Sequence, residues 1–125
     1  MSGSPRKAAA IGFLTTVAAG RVREAYDTYI GPGFRHHNPH FKGDGTSLMS
    51  AMEDNARTNP DKVLEVKRAL EDGDLVAVHS HIRQNASDLG AAVVHIFRFE
   101  GDRIVELWDA GQAVEATSVN DNGMF

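Results

Sequence analysis

The 125-residue chain contains no cysteine. That excludes a disulfide frame, a thiolate nucleophile and any cysteine-based metal site. It carries no excess of positive charge: 13 Lys and Arg against 17 Asp and Glu leave a net charge of -4. With no basic patch, nucleic acid is not expected as a partner. No apolar run approaches the roughly 20 residues of a membrane span, so no membrane partner is expected either. Residues Met1 to Lys7 are small and polar and lack the apolar core of a signal peptide, which makes the cytoplasm the expected location. Neither a glycine-rich phosphate loop nor a serine nucleophile elbow is present. What remains is ordinary globular composition, 42% hydrophobic and 24% charged, at a length that suits one domain spanning residues 1–125.

The N-terminal half reads as helices. Ser4 is a suitable N-cap and Pro5 suits a first helical position, followed by a stripe of Ile11, Leu14, Val17 and Ala18. After Gly20, the spacing of Val22, Ala25, Tyr26, Tyr29 and Ile30 predicts a second short helix, ended by Gly31-Pro32-Gly33. A third helix is predicted from Leu48 to about Arg57, capped by Ser47 or Thr46 and terminated at Asn59-Pro60. Residues 34–45 between them contain His36, His37, Asn38, Pro39 and His40, and are expected to be neither helix nor strand.

The C-terminal half reads as an antiparallel meander. Alternation over Val63 to Leu70, a turn at Asp72-Gly73, and runs Leu75 to Arg83 and Ala91 to Phe99 give three strands. The fourth follows a two-residue turn at Gly101-Asp102, in the most organised stretch of the chain, Val94 to Gly111. Uninterrupted pairing from Phe99 opposite Ile104 sets Phe97 opposite Glu106 and His95 opposite Trp108. One face then holds His95, Phe97, Phe99, Ile104, Glu106 and Trp108, and the other holds Arg98, Leu107 and Asp109. Residues Gln112 to Phe125 read as a polar, irregular tail. Helices followed by a strand meander is an α+β pattern.

The polar residues suggest chemistry at one end of this sheet. A carboxylate with imidazoles in an aromatic setting suits general acid–base work on a small carbonyl compound. Burial among Trp108 and Phe97 would raise the pKa of a carboxylate toward the working range, and a nearby imidazolium would oppose that rise. His79 and His81 share a face of the second strand, both of whose faces are largely apolar, so a second subunit is expected to cover the outer one. The adjacent His36-His37 pair and His40 after Pro39 fit no tetrahedral metal spacing, and no metal or other cofactor is expected.

These residues resemble the SnoaL-like proteins, which are related to polyketide cyclases within the nuclear transport factor 2-like superfamily. The resemblance lies in His37-Asn38-Pro39 before Gly43-Asp44-Gly45, in Val78 to His81, and in Phe97 to Gly101 with Ile104-Val105-Glu106-Leu107-Trp108-Asp109; it covers about residues 8–115. It implies an α+β conical barrel, with N-terminal helices packed into a strongly curved, mostly antiparallel sheet around one pocket. It also implies a cofactor-free aldol cyclisation or isomerisation, with Asp109 as acid/base and His95 close to it. The uninterrupted register puts these two on opposite faces, so the resemblance requires a β-bulge near Trp108; without one, Glu106 is the better carboxylate. His37, Asn38, His81 and Glu106 are the candidates for binding substrate oxygens. Trp108, Phe97, Tyr26 and Met52 are the candidates for the wall. Three other readings compete. They are a small-molecule binding domain without catalysis, a metal enzyme built on His37, His40, His81 and His95, and a structural dimerisation module. A homodimer through the outer sheet face is compatible with all of them.

Overall fold

In a computed structural model that describes residues 4–125, three helices lie against one five-stranded sheet. The elements run α1 (Pro5–Ala18), α2 (Val22–Tyr29), β1 (Ile30–His36), α3 (Gly45–Thr58), β2 (Val63–Asp72), β3 (Leu75–Arg83), β4 (Ala91–Glu100) and β5 (Arg103–Ala113). The strand order is β1-β5-β4-β3-β2, antiparallel except where β1 runs parallel to β5, and the sheet does not close. This is the expected α+β cone with one strand more than the meander. Among the described residues no helix is long and apolar enough to cross a membrane.

The N-terminal capping follows the sequence: Ser4 accepts from the Lys7 amide at 3.1 Å, and Pro5 stands at the first turn of α1. The buried stripe of α1 is Ala10, Phe13 and Leu14, with Val17 beside it. Phe13, outside the expected stripe, is fully buried and meets Tyr26 and Phe97 edge to face. Gly12 has no room for a side chain because the Tyr29 ring and hydroxyl sit against its Cα. Three expectations need correction. Residues Ile30–His36 form a strand, although Gly31-Pro32-Gly33 lies within it. Pro lacks a ladder donor but is tolerated at a sheet edge, and β1 is an edge. The cap of α3 is Asp44, which accepts from the Ser47 amide at 2.9 Å and from its hydroxyl at 2.7 Å. The first hairpin turn is one residue later than predicted, at Gly73-Asp74.

The fourth difference positions the site. The β4–β5 ladder starts with Phe99 opposite Ile104 but continues with Arg98 opposite Glu106. One extra residue, at Val105, is absorbed there, so the bulge the resemblance requires exists three residues before Trp108. From that point His95 pairs with Asp109, Phe97 with Leu107, and Ile96 with Trp108. Leu107 and Asp109 therefore turn inward with His95 and Phe97, while Glu106 and Trp108 turn outward with Arg98. The helices cover the inner face, where Val76, Val78, Phe97, Phe99, Ile104 and Leu107 form the buried core with Phe13 and Phe34.

The tail after β5 returns to the outer face. There the Phe125 ring stacks 4.6 Å from His81, and Arg68 donates to the Phe125 oxygen at 3.0 Å.

Asp44→Ala is expected to lower unfolding free energy by about 1 kcal/mol, while Thr46→Ala stays within about 0.5 kcal/mol. Urea denaturation of both variants checks the cap assignment.

Candidate functional site

The inner face opens into a cavity of about 350 Å³ between α3 and the sheet. Its polar residues are Asn38, Asn55, Lys62, Gln84, His95 and Asp109; Val17, Phe41, Leu48, Met52, Ile82 and Val93 supply most of the apolar wall. That volume lies at the small end of ligand pockets.

Asp109 is fixed by the histidine-rich loop. Asn38 Nδ2 donates to both carboxylate oxygens, at 3.3 and 3.2 Å. Asn38 is itself held at two other points: its Oδ1 accepts from the His40 amide at 2.9 Å, and its own amide donates to His36 Nδ1 at 3.1 Å. His36 is buried, and its Nε2 lies 2.7 Å from the Lys42 carbonyl oxygen. Accepting at Nδ1 leaves Nε2 to carry the hydrogen and donate to that carbonyl, so one tautomer satisfies both bonds. A chain of short-range bonds thus runs from a buried histidine to the cavity carboxylate. Asp109 itself lines the cavity.

His95 stands opposite Asp109 on β4, over the Phe97 ring at 6.1 Å. Its Nδ1 is buried without a hydrogen-bond partner. Burial pushes the imidazole pKa down to about 4, against a smaller opposing pull from the Asp109 charge. At neutral pH it is an uncharged ring, able to donate one hydrogen bond and accept another.

The other candidate residues divide between the two faces. Met52 lines the cavity, and the Tyr26 hydroxyl lies behind it, 3.9 Å from its sulfur. Burial, with a smaller contribution from Asp44, raises the Tyr26 pKa and keeps it a neutral core phenol. Phe97 is a fully buried floor beneath His95.

Glu106, Trp108, His37 and His81 do not reach the cavity. Glu106 was expected on the face of His95, Phe97 and Trp108, but the bulge turns it to the outer face. There it accepts from Arg35 at 3.0 and 3.1 Å and from Arg98 at 2.9 Å, and lies 2.6 Å from His37 Nε2. The His37 bond, followed by those of Arg98 and Arg35, depresses its pKa to about 2 despite burial. Trp108 stacks on His37 at 5.0 Å, also outside. His81 bonds the Leu89 carbonyl at 2.7 Å and packs on Phe125. The histidines considered for a metal are therefore dispersed, and among the described residues no group of three His, Asp or Glu converges on one point.

Lys62, Gln84 and Asn55 were not anticipated. Lys62 follows Pro60-Asp61 and Gln84 follows Arg83 at a strand end, where alternation gives no signal for which way a side chain turns.

The sequence profile of the SnoaL-like domain matches residues 10–107. The chain belongs to the SnoaL-like domain family. No curated protein matches it in sequence. Among solved structures, this SnoaL-like domain is similar to AclR, a proposed hydroxylase from Streptomyces galilaeus, at TM-score 0.74 and 20% identity over 89% of this chain and 91% of that one. It is equally similar to a proposed polyketide cyclase from Acidithiobacillus ferrooxidans, at TM-score 0.74 and 20% identity over 90% and 92% of the two chains. A SnoaL-like protein of unknown function from Burkholderia thailandensis aligns at TM-score 0.73 and 17% identity over 90% and 98%. At these identities the likeness is one of fold.

Two acid-labile contributions to stability follow. His95 has a native pKa near 4 against an ordinary 6.5, so its contribution is intact above about pH 6.5 and lost as pH falls toward 4. The loss is on the order of 3 kcal/mol at most. Glu106 has a native pKa near 2 against 4.5, so its contribution is lost only below about pH 4.5. His95→Gln is expected to flatten the upper window and Glu106→Gln the lower one, read from urea midpoints at pH 7.5, 4.5 and 3.

Proposed function

We propose that this SnoaL-like domain is a cofactor-independent acid–base enzyme acting on a small carbonyl compound, of the aldol-cyclase or isomerase type. The observation that carries the reading is the convergence of Asp109, oriented by Asn38, and a neutral His95 on one small, largely apolar cavity. The likeness to the proposed polyketide cyclase from Acidithiobacillus ferrooxidans supports the reading by analogy of fold alone.

In this mechanism Asp109 takes a proton from the carbon next to a substrate carbonyl. The C–H electron pair becomes the enolate double bond, and the carbonyl oxygen takes the negative charge. A neutral His95 donates its N–H to that oxygen without itself being deprotonated. In an isomerisation, protonated Asp109 returns the proton to a different carbon. In an aldol closure, the enolate carbon attacks a second carbonyl and the new alkoxide takes the proton back from Asp109. In both cases Asp109 ends as it began. An apolar wall serves this chemistry by excluding water that would compete for the proton.

The second reading, a non-catalytic binding domain, is favoured by that same apolar wall and by the two bonds that already occupy Asp109. A homodimer through the outer sheet face is part of the proposal. Leu70 and Leu75 remain exposed on that side, and light scattering at twice the chain mass is the expected result.

The test is exchange of α-hydrogen for deuterium in enolisable probes such as phenylpyruvate, followed by NMR in deuterated buffer. Wild type is expected to accelerate exchange and Asp109→Asn to lose about 10²-fold or more of that acceleration. Equal rates with and without protein would favour the binding-domain reading.

A further inference from the structure

The cavity holds two sets of polar groups, on different flanks of the sheet. Asp109 and His95 come from β5 and β4. Lys62 and Gln84 come from the chain just before β2 and just after β3, on the far side in the strand order. The mechanism above uses only the first set.

Lys62 is half-buried in the wall, and its ammonium bonds the Asn55 side-chain oxygen on α3. An ammonium has three donors, so two remain. Burial is the sole resolved influence on its pKa, which it lowers, and no carboxylate offsets it among the described residues. Gln84 also lines the cavity, but its Oε1 is buried out of reach of solvent and so of any ligand there. A half-buried ammonium in a largely apolar wall, with no carboxylate paired to it, favours a ligand that brings negative charge to it.

We propose that Lys62 forms an anion-binding subsite, so that the ligand of this cavity is a carboxylate-bearing carbonyl compound. The carboxylate accepts from Lys62 Nζ. The ligand's apolar body crosses the wall of Met52, Ile82 and Val93 toward Asp109 and His95. The assignment rests on the acid–base reading only in taking the far end of the ligand to be the reacting carbonyl. Lys62 also keeps the anion away from Asp109, whose own negative charge would repel a carboxylate placed beside it. A neutral ester of the same shape would leave Lys62 unmatched.

The experiment compares mandelate with methyl mandelate by titration calorimetry on the full chain. Wild type is expected to bind the acid at least about tenfold tighter than the ester, the effect of one charge-assisted hydrogen bond. Lys62→Met should abolish the preference and Lys62→Arg should retain most of it. Should the methionine variant fail to fold, the wild-type acid-to-ester ratio and the arginine variant still decide the matter. Equal affinity for acid and ester, no measurable binding of either, or an undiminished preference in Lys62→Met would each overturn the subsite. Asp109→Asn separates the two readings. A preference for mandelate that survives in that variant supports the subsite even if hydrogen exchange shows no catalysis. Its loss there would overturn the subsite.

Discussion

Between the pairs Phe99–Ile104 and Arg98–Glu106, β5 holds one residue more than β4, and every side chain from Glu106 onward takes its face from that insertion. A strand alternates with a period of two, so one added residue exchanges the inner and outer sets completely. Val105 is the residue absorbed. It is buried, and its side chain lies close to where a Cβ on Gly31 of β1 would project, so the bulge is clamped between β4 and the edge strand. The cavity carboxylate, the buried core residue Leu107 and the polar outer cluster all follow from it.

The same insertion gives two carboxylates three residues apart opposite surroundings. Two arginines and His37 saturate the oxygens of Glu106 and hold it ionised to low pH. Such a group is a structural anchor, poorly suited to exchanging protons near neutrality. Asp109 has a neutral amide as its hydrogen-bond partner and a neutral imidazole opposite it. Its neighbours orient it without supplying positive charge. The histidine-rich loop serves both sides of the sheet, with His37 sent outward to Glu106 and Asn38 inward to Asp109.

Much of this was legible in the sequence because strong periodicity survives averaging. The three helices, the four meander strands and the Gly101-Asp102 turn follow from residue spacing and turn chemistry. β1 was not legible because Gly31, Pro32 and Gly33 are strand-breaking by propensity, and only its edge position makes them admissible. The cap of α3 was misread because Asp44, Thr46 and Ser47 are all competent N-caps, and the helix starts one turn earlier than its apolar stripe. The face of Asp109 was beyond alternation, which counts residues in twos and registers no insertion. The resemblance to a family supplied what periodicity could not. Lys62 and Gln84 lie just outside regular strands, where neither method speaks.

The central claim is that Asp109 and an uncharged His95 face one another across the same wall. An NMR titration of protein labelled at the histidine ring carbons tests it most directly. The imidazole of His95 should titrate near pH 4, and in Asp109→Asn its midpoint should fall further, because the opposing charge is gone. A His95 midpoint near the ordinary 6.5 that does not move in Asp109→Asn would contradict the account and return Asp109 to the outer face.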